Sequence, residues 1–118
     1  MSAIKISIVG AGYMAEEHIK AFSDMDELKI CGIFSRSRIK SNLLAEKYKI
    51  AKVYDSIESM YFSTKSDLVL VAVSEQSLEE VCSEIFKFPW HSLIEKPIGY
   101  NYENSLKILR IPRVKGHF

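Results

Sequence analysis

The sequence predicts an α/β protein built on a doubly wound, mostly parallel sheet. Three observations carry this. Strand-like and helix-like segments alternate from Ile4 to about Leu109. Leu68-Val69-Leu70-Val71-Ala72-Val73 is apolar throughout, as a central parallel strand covered on both faces requires. A glycine-rich segment, Gly10-Ala11-Gly12, directly follows the first apolar run. Such alternation puts helices on both sheet faces through right-handed crossovers.

Each element has its own signal. Ile4 to Val9 reads as the first strand, and Tyr13 to Ser23 as a helix with Met14, Ala15, His18, Ala21 and Phe22 at helical spacing. Leu28 to Phe34 is a second strand. Ser37 caps a helix to about Tyr48, with Leu43, Leu44 and Tyr48 on its inner side. Ala51 to Tyr54 reads as a short third strand and Ser56 opens a short helix through Ile57, Met60 and Tyr61. The apolar run Leu68 to Val73 is followed by a helix from Gln76 to Phe86, a strand from His91 to Glu95 and a helix from Asn101 to Leu109. Ile111-Pro112-Arg113 ends that last helix, because proline lacks an N–H and disfavours helix before it. Val114 to Phe118 has the character of a further strand start.

Composition sets the class. The 118 residues suffice for one domain with a real core. An apolar fraction of 47% and a charged fraction of 26% are those of a soluble globular protein. The net charge of +1 gives no reason to expect nucleic acid or an acidic membrane surface. No apolar stretch is long enough to span a bilayer. The N-terminus does not read as a signal peptide. Cys31 and Cys82 read as isolated core residues in a reducing compartment, and the cytoplasm is the expected location. Histidine and cysteine spacing shows no metal site.

In such a sheet, ligands lie beyond the C-terminal strand ends. There the sequence places Gly10 to Gly12, Ser35 to Ser37, Ser74 to Ser77 and Glu95 to Pro97. Gly10-Ala11-Gly12-Tyr13-Met14-Ala15 is a Gly-x-Gly-x-x-Ala turn between a strand and a helix, the context in which such a turn binds pyrophosphate. Gly10 allows the tight turn, Gly12 lets backbone approach a phosphate, and Ala15 lets the helix pack on the strand. The helix start offers unsatisfied N–H groups and a favourable dipole. The competing reading is an ordinary strand-to-helix turn. About 20 residues on, a carboxylate would select NAD by accepting from the ribose 2′-hydroxyl. This chain has Ser35-Arg36-Ser37 instead, with Arg38 and Lys40 nearby, which suits the 2′-phosphate of NADP. NADP is therefore preferred over NAD; otherwise Arg36 is a solvated loop residue and Ser37 only a cap.

Leu93-Ile94-Glu95-Lys96-Pro97-Ile98-Gly99 puts charges at the end of a buried strand, where they are unusual unless paired or functional. Lys96 could hydrogen-bond a substrate hydroxyl and help move its proton as hydride leaves. Glu95 could set the charge or position of that lysine, and Pro97 stiffens the turn. A surface Glu–Lys pair is the alternative.

Together these residues resemble the glucose–fructose oxidoreductase / inositol dehydrogenase / rhizopine-catabolism (Gfo/Idh/MocA) family. The matching elements are Gly10 to Ala15 with His18 in the next helix, Phe34-Ser35-Arg36-Ser37, Tyr54-Asp55, Val73-Ser74 and Glu95-Lys96-Pro97-Ile98-Gly99. The resemblance runs from Ile4 to about Leu109. It implies an NAD(P)-binding Rossmann domain over residues 1–118, belonging to an oxidoreductase of sugars, cyclitols or sugar nucleotides. It implies that Lys96 contributes to substrate binding and catalysis. The cofactor-binding candidates are Gly10, Ala11, Gly12, Tyr13, Met14, Ser35, Arg36, Ser37, Val73, Ser74, Gln76, Glu95, Lys96 and Pro97. The family segment Thr-Pro-Asn, with a histidine shortly after, is here Ser74-Glu75-Gln76, with Glu79 in the histidine's place.

Family enzymes carry a second α/β domain that supplies most substrate contacts, and nothing here corresponds to it. The chain is thus expected to be a truncated or fragmentary member that binds nucleotide but turns over poorly or not at all. Surface normally covered by that domain favours a homo-oligomer. A non-catalytic dinucleotide sensor or interaction module is the alternative function. His18 reads as a packed or capping histidine with only Glu16 and Glu17 as partners. Tyr13 either shields the nucleotide or packs on a neighbouring loop.

Overall fold

The computed structural model describes residues 3–95 and 102–114. The elements are β1 (Ile4–Val9), α1 (Tyr13–Ser23), β2 (Leu28–Phe34), α2 (Arg38–Tyr48), α3 (Ile57–Thr64), β3 (Leu68–Val71), α4 (Glu75–Ile85), β4 (His91–Ile94) and α5 (Tyr102–Leu109). All strands are parallel, in the order β2-β1-β3-β4. The expected doubly wound α/β fold is the one observed.

Side-chain alternation along the strands makes two cores. Ile6 and Ile8 of β1 and Leu70 of β3 pack with Ala15 and Ile19 of α1 and Leu44 of α2. Val9, Val69 and Val71 point the other way, onto Ile57 and Met60 of α3, Leu78, Cys82 and Ile85 of α4, and Ile108 of α5. Trp90 is fully buried in this second core and its indole N–H donates to Ile85 O at 2.8 Å. The one polar side chain that β1 buries, Ser7, is satisfied by Thr64 and Ser66 hydroxyls at 3.3 and 2.8 Å. Burial pushes the Cys82 thiol up to about 11, so it stays protonated and inert.

Several boundaries differ from the sequence reading. Ala51 to Tyr54 is no strand: its pairing shrinks to the bridge Ile33–Val53, held by Ile33 N–H to Lys52 O and Tyr54 N–H to Ile33 O. Three residues alongside the end of β2 are too few to sustain a ladder. The apolar run 68–73 keeps strand geometry only to Val71, because its last residues turn toward α4. Leu43 is 61% exposed, not inward; only Leu44 of that pair faces the core. Cys31 is half-buried. Ile6 pairs with Ile30 and Ser7 with Gly32, so a bulge leaves Cys31 out of register. Val114 sits in no strand, although its N–H donates to Phe86 O. Residues 115–118 lie outside the described residues.

Candidate functional site

β1 ends in a turn whose shape demands glycine at Gly10. Its φ is +121°, and a Cβ there would lie 2.1 Å from Ala72 O, on the backbone following β3. Gly10 N–H donates to Phe34 O at 2.8 Å, so the turn is clamped between two neighbouring strand ends. Gly12 has the opposite environment. It is the N-cap of α1, with φ −88°, and a Cβ there would meet nothing within 4 Å. The folded chain itself does not demand glycine there, and the turn is left open to the approach of a ligand. No side chain caps α1. Glu16 N–H to Gly12 O is its first turn's hydrogen bond, so the N–H groups of Tyr13, Met14 and Ala15 precede any helical acceptor. An open glycine and uncapped N–H groups fit a pyrophosphate.

Three helix starts meet around one cleft of about 340 Å³. Its lining includes Gly10, Ala11, Gly12, Ser35, Arg36, Ser37, Val73 and Ser74 among the expected residues. Phe34, Lys40, Ala72, Ser77 and Val81 also line it. Lys40 had been legible as local positive charge; Ser77 and Val81 follow from helical spacing after Ser74. Tyr13, Met14, Gln76 and Glu95 do not line it. Tyr13 is 74% exposed.

The serines beyond β2 are not equivalent. Ser35 Oγ donates to Ser37 O at 2.7 Å, which spends its hydroxyl hydrogen. Ser37 Oγ accepts the Lys40 N–H at 3.3 Å as the cap of α2, which leaves its own hydrogen free to donate. Beside them, Arg36 is exposed and pairs with Glu80 on α4 at 3.6 Å; Arg38 pairs with Asp55. Arg36 also borders a second cleft of about 230 Å³, whose rim carries Asp55, Glu58, Glu80 and Glu84. At the third helix start, Ser74 does not cap α4; its hydroxyl donates to Ser77 Oγ at 3.1 Å. Glu79, in the place of the family's histidine, accepts from Asn104 Nδ2 at 3.0 Å and so braces α4 against α5.

Glu95 follows β4, with its N–H donating to Val71 O at 2.9 Å. Its carboxylate contacts Nε2 of His18, correcting the expectation that His18 could reach only Glu16 and Glu17. Those carboxylates are taken. Glu16 accepts from Lys47 Nζ and Tyr48 Oη, both at 2.7 Å, and Glu17 pairs with Lys20. The bonds from Lys47 and Tyr48 hold the Glu16 carboxyl below its ordinary range. A 77-residue separation hides the His18–Glu95 contact from any local pattern. Lys96 and Pro97 lie outside the described residues. Among those described, no group of three or more His, Cys, Asp or Glu could hold a metal, and no helix is long and apolar enough to cross a membrane.

Comparison with known proteins fits this geometry. A family model described as "Oxidoreductase family, NAD-binding Rossmann fold" matches residues 4–117. The chain is 20% identical over 113 residues to scyllo-inositol 2-dehydrogenase (NADP(+)) IolU of Bacillus subtilis, covering 96% of this chain and 34% of that protein. It is 25% identical over 116 residues to D-glucoside 3-dehydrogenase of Escherichia coli, covering 98% and 33%. Myo-inositol dehydrogenase of Lactobacillus casei, solved with NAD(H) and myo-inositol, shares the fold at a TM-score of 0.82 and 18% identity, over 91% of this chain and 32% of that one. The chain spans about a third of the length of these relatives. On the family match over nearly its whole length, this chain belongs to the Gfo/Idh/MocA oxidoreductases, as their NAD-binding Rossmann domain.

Proposed function

We propose that this chain binds NADP, with NAD as the weaker ligand, for hydride transfer to or from a hydroxyl or carbonyl of a sugar, cyclitol or sugar nucleotide. The observation that carries the reading is the cleft itself. It joins the open glycine turn, the Ser35–Ser37 segment and the start of α4 in one concavity. The pyrophosphate would sit at Gly12 and the N–H groups opening α1. Ser37, Arg36 and Lys40 would surround the adenosine 2′-phosphate, with Ser37 donating and Ser35 holding the loop. Val73 and Ser74 would flank the nucleotide on the β3 side. When bound, the cofactor supplies or accepts the hydride. Lys96, next in sequence to Glu95 at the end of β4, would hydrogen-bond the substrate oxygen and exchange its proton. Substrate recognition in the relatives' remaining two-thirds of length would complete the enzyme.

The test is calorimetric titration of the purified chain with NADPH and separately NADH. Tight NADPH and weak NADH binding is expected. The reverse order would refute the role given to Ser37 and Arg36, and binding of neither would refute the site.

A further inference from the structure

His18 stands on the second turn of the helix whose start forms the phosphate cradle. Glu95 stands 77 residues away, where β4 runs out and the Glu-Lys-Pro segment begins. Their side chains meet although each is only about a quarter exposed. Two features make the meeting specific. The α1 carboxylates one and two residues before His18 do not face it and have partners of their own, Glu16 with Lys47 and Tyr48 and Glu17 with Lys20. The imidazole also lies against Phe22 one turn on, with ring centres 6.0 Å apart, which limits its rotation. An imidazole donates from Nε2 whether charged or, in the appropriate tautomer, neutral, so the contact does not require a protonated histidine. A hydrogen bond to a carboxylate is also stronger than one between neutral groups.

We propose that His18 is a positioning residue. It fastens the carboxylate of Glu95, and with it the chain leading into Lys96, to the helix that receives the pyrophosphate. One side chain thereby ties the seat of the cofactor to the segment bearing the catalytic candidate. The backbone anchor at that point is the Glu95 N–H to Val71 O bond, after the last residue of β4, an edge strand in the described sheet. A strand end held on one side frays readily, and the His18 contact supplies the second hold. The consequence for catalysis rests on the dinucleotide reading above; the fastening does not.

Amide hydrogen exchange of the 118-residue chain tests it. His18→Leu should speed exchange at the Glu95 amide at least tenfold, while His18→Gln, which can present an amide N–H near the position of Nε2, should stay within about threefold of wild type. The double variant His18→Leu/Glu95→Leu should exchange no faster than His18→Leu alone, because both remove one contact. Exchange in His18→Leu within twofold of wild type, or additive effects in the double variant, would overturn the proposal. Should His18→Leu fail to fold, the ¹⁵N signal of the His18 imidazole decides: Glu95→Gln must shift it, and an unmoved signal refutes the contact. Adding 2′-phospho-ADP-ribose, which lacks the nicotinamide, should slow exchange at Glu95 in wild type and not in His18→Leu; equal slowing in both would overturn the link to the cradle. Failure of wild type to bind NADPH and 2′-phospho-ADP-ribose would count against the dinucleotide reading, whereas the first two comparisons need no nucleotide.

Discussion

Gly10 and Gly12 are two residues apart in one motif, yet the structure assigns them different physical tasks, and alanine at each separates them. At Gly10, alanine must adopt φ +121°, which costs about 1–3 kcal/mol. Its Cβ would also sit 2.1 Å from Ala72 O, where an ordinary carbon–oxygen contact is about 3.3 Å or more. The backbone must therefore yield by roughly 1 Å, on the contact distances above. That movement strains the Ala72 N–H to Val9 O and Gly10 N–H to Phe34 O bonds, each worth about 1 kcal/mol. The sum is about 3–5 kcal/mol, a large part of a small domain's stability. At Gly12, φ is −88° and the added methyl meets nothing, so the loss should stay below about 1 kcal/mol, the cost of a poorer N-cap. Urea denaturation should thus show a midpoint lowered by more than about 1 M for Gly10→Ala and little change for Gly12→Ala. NADPH titration should reverse the order of interest: Gly12→Ala, still folded, should bind at least tenfold more weakly. Gly10→Ala as stable as wild type, or Gly12→Ala folded and binding normally, would refute the division.

Four further outcomes follow from particular contacts. Arg36→Ala should weaken NADPH about tenfold or more and leave NADH unchanged, since a hydrogen bond to a charged group is worth about 1.5–3 kcal/mol. Its partner variant Glu80→Gln should tighten NADPH by up to about fivefold, an effect that added salt erases because the pair is exposed. Gly32→Ala would place a Cβ 2.5 Å from Tyr54 Cε2 and 3.3 Å from Met60 Cγ, and should lower stability by about 1–3 kcal/mol in a urea melt. Glu16, whose carboxyl is held low by Lys47 and Tyr48, contributes stability above its unfolded pKa that is lost as pH falls through the lower folded value. The gap between wild type and Tyr48→Phe should accordingly be widest near neutrality and close as pH falls below about 4, measured by thermal melts across pH.

The parallel fold was legible because burial on both faces leaves an uninterrupted signature, as in Leu68 to Val71, and because helix caps are local. Ser37 and Ser56 mark the starts of α2 and α3, each accepting an N–H three residues on. The failures concern features that depend on register or on distant chain. Cys31 looks like a core residue in any pattern, and only the bulge opposite Ile6 and Ser7 removes it from register. Ala51 to Tyr54 carries strand propensity, but its length of contact with β2 is set by where α2 and α3 lie. The His18–Glu95 and Asn104–Glu79 pairs are tertiary, and neither spacing nor propensity encodes them. Glu80 is the most instructive omission. The sequence shows Arg36 as a free guanidinium, whereas the fold brings a carboxylate of α4 up to it.

That carboxylate bears directly on the proposed preference for NADP. The charged side chains lining the first cleft are Arg36 and Lys40, whereas the second cleft, which Arg36 also borders, carries Asp55, Glu58, Glu80 and Glu84. The Arg36–Glu80 pair is exposed and spans 3.6 Å, so it is weak and opens at little cost. A 2′-phosphate would draw Arg36 from Glu80 and take the free hydroxyl hydrogen of Ser37, replacing one carboxylate with a stronger acceptor of higher charge. A bare 2′-hydroxyl would accept from Arg36 only as an uncharged oxygen, a weaker partner than a phosphate, and Ser35-Arg36-Ser37 offers no carboxylate to accept its proton. Glu80 is already paired with Arg36, so its use by the ribose would cost that pair. The proposed preference for the phosphorylated ribose therefore rests on Arg36, Ser37 and Lys40, with Glu80 a weak competitor for Arg36 that a 2′-phosphate would displace and whose removal should tighten NADPH.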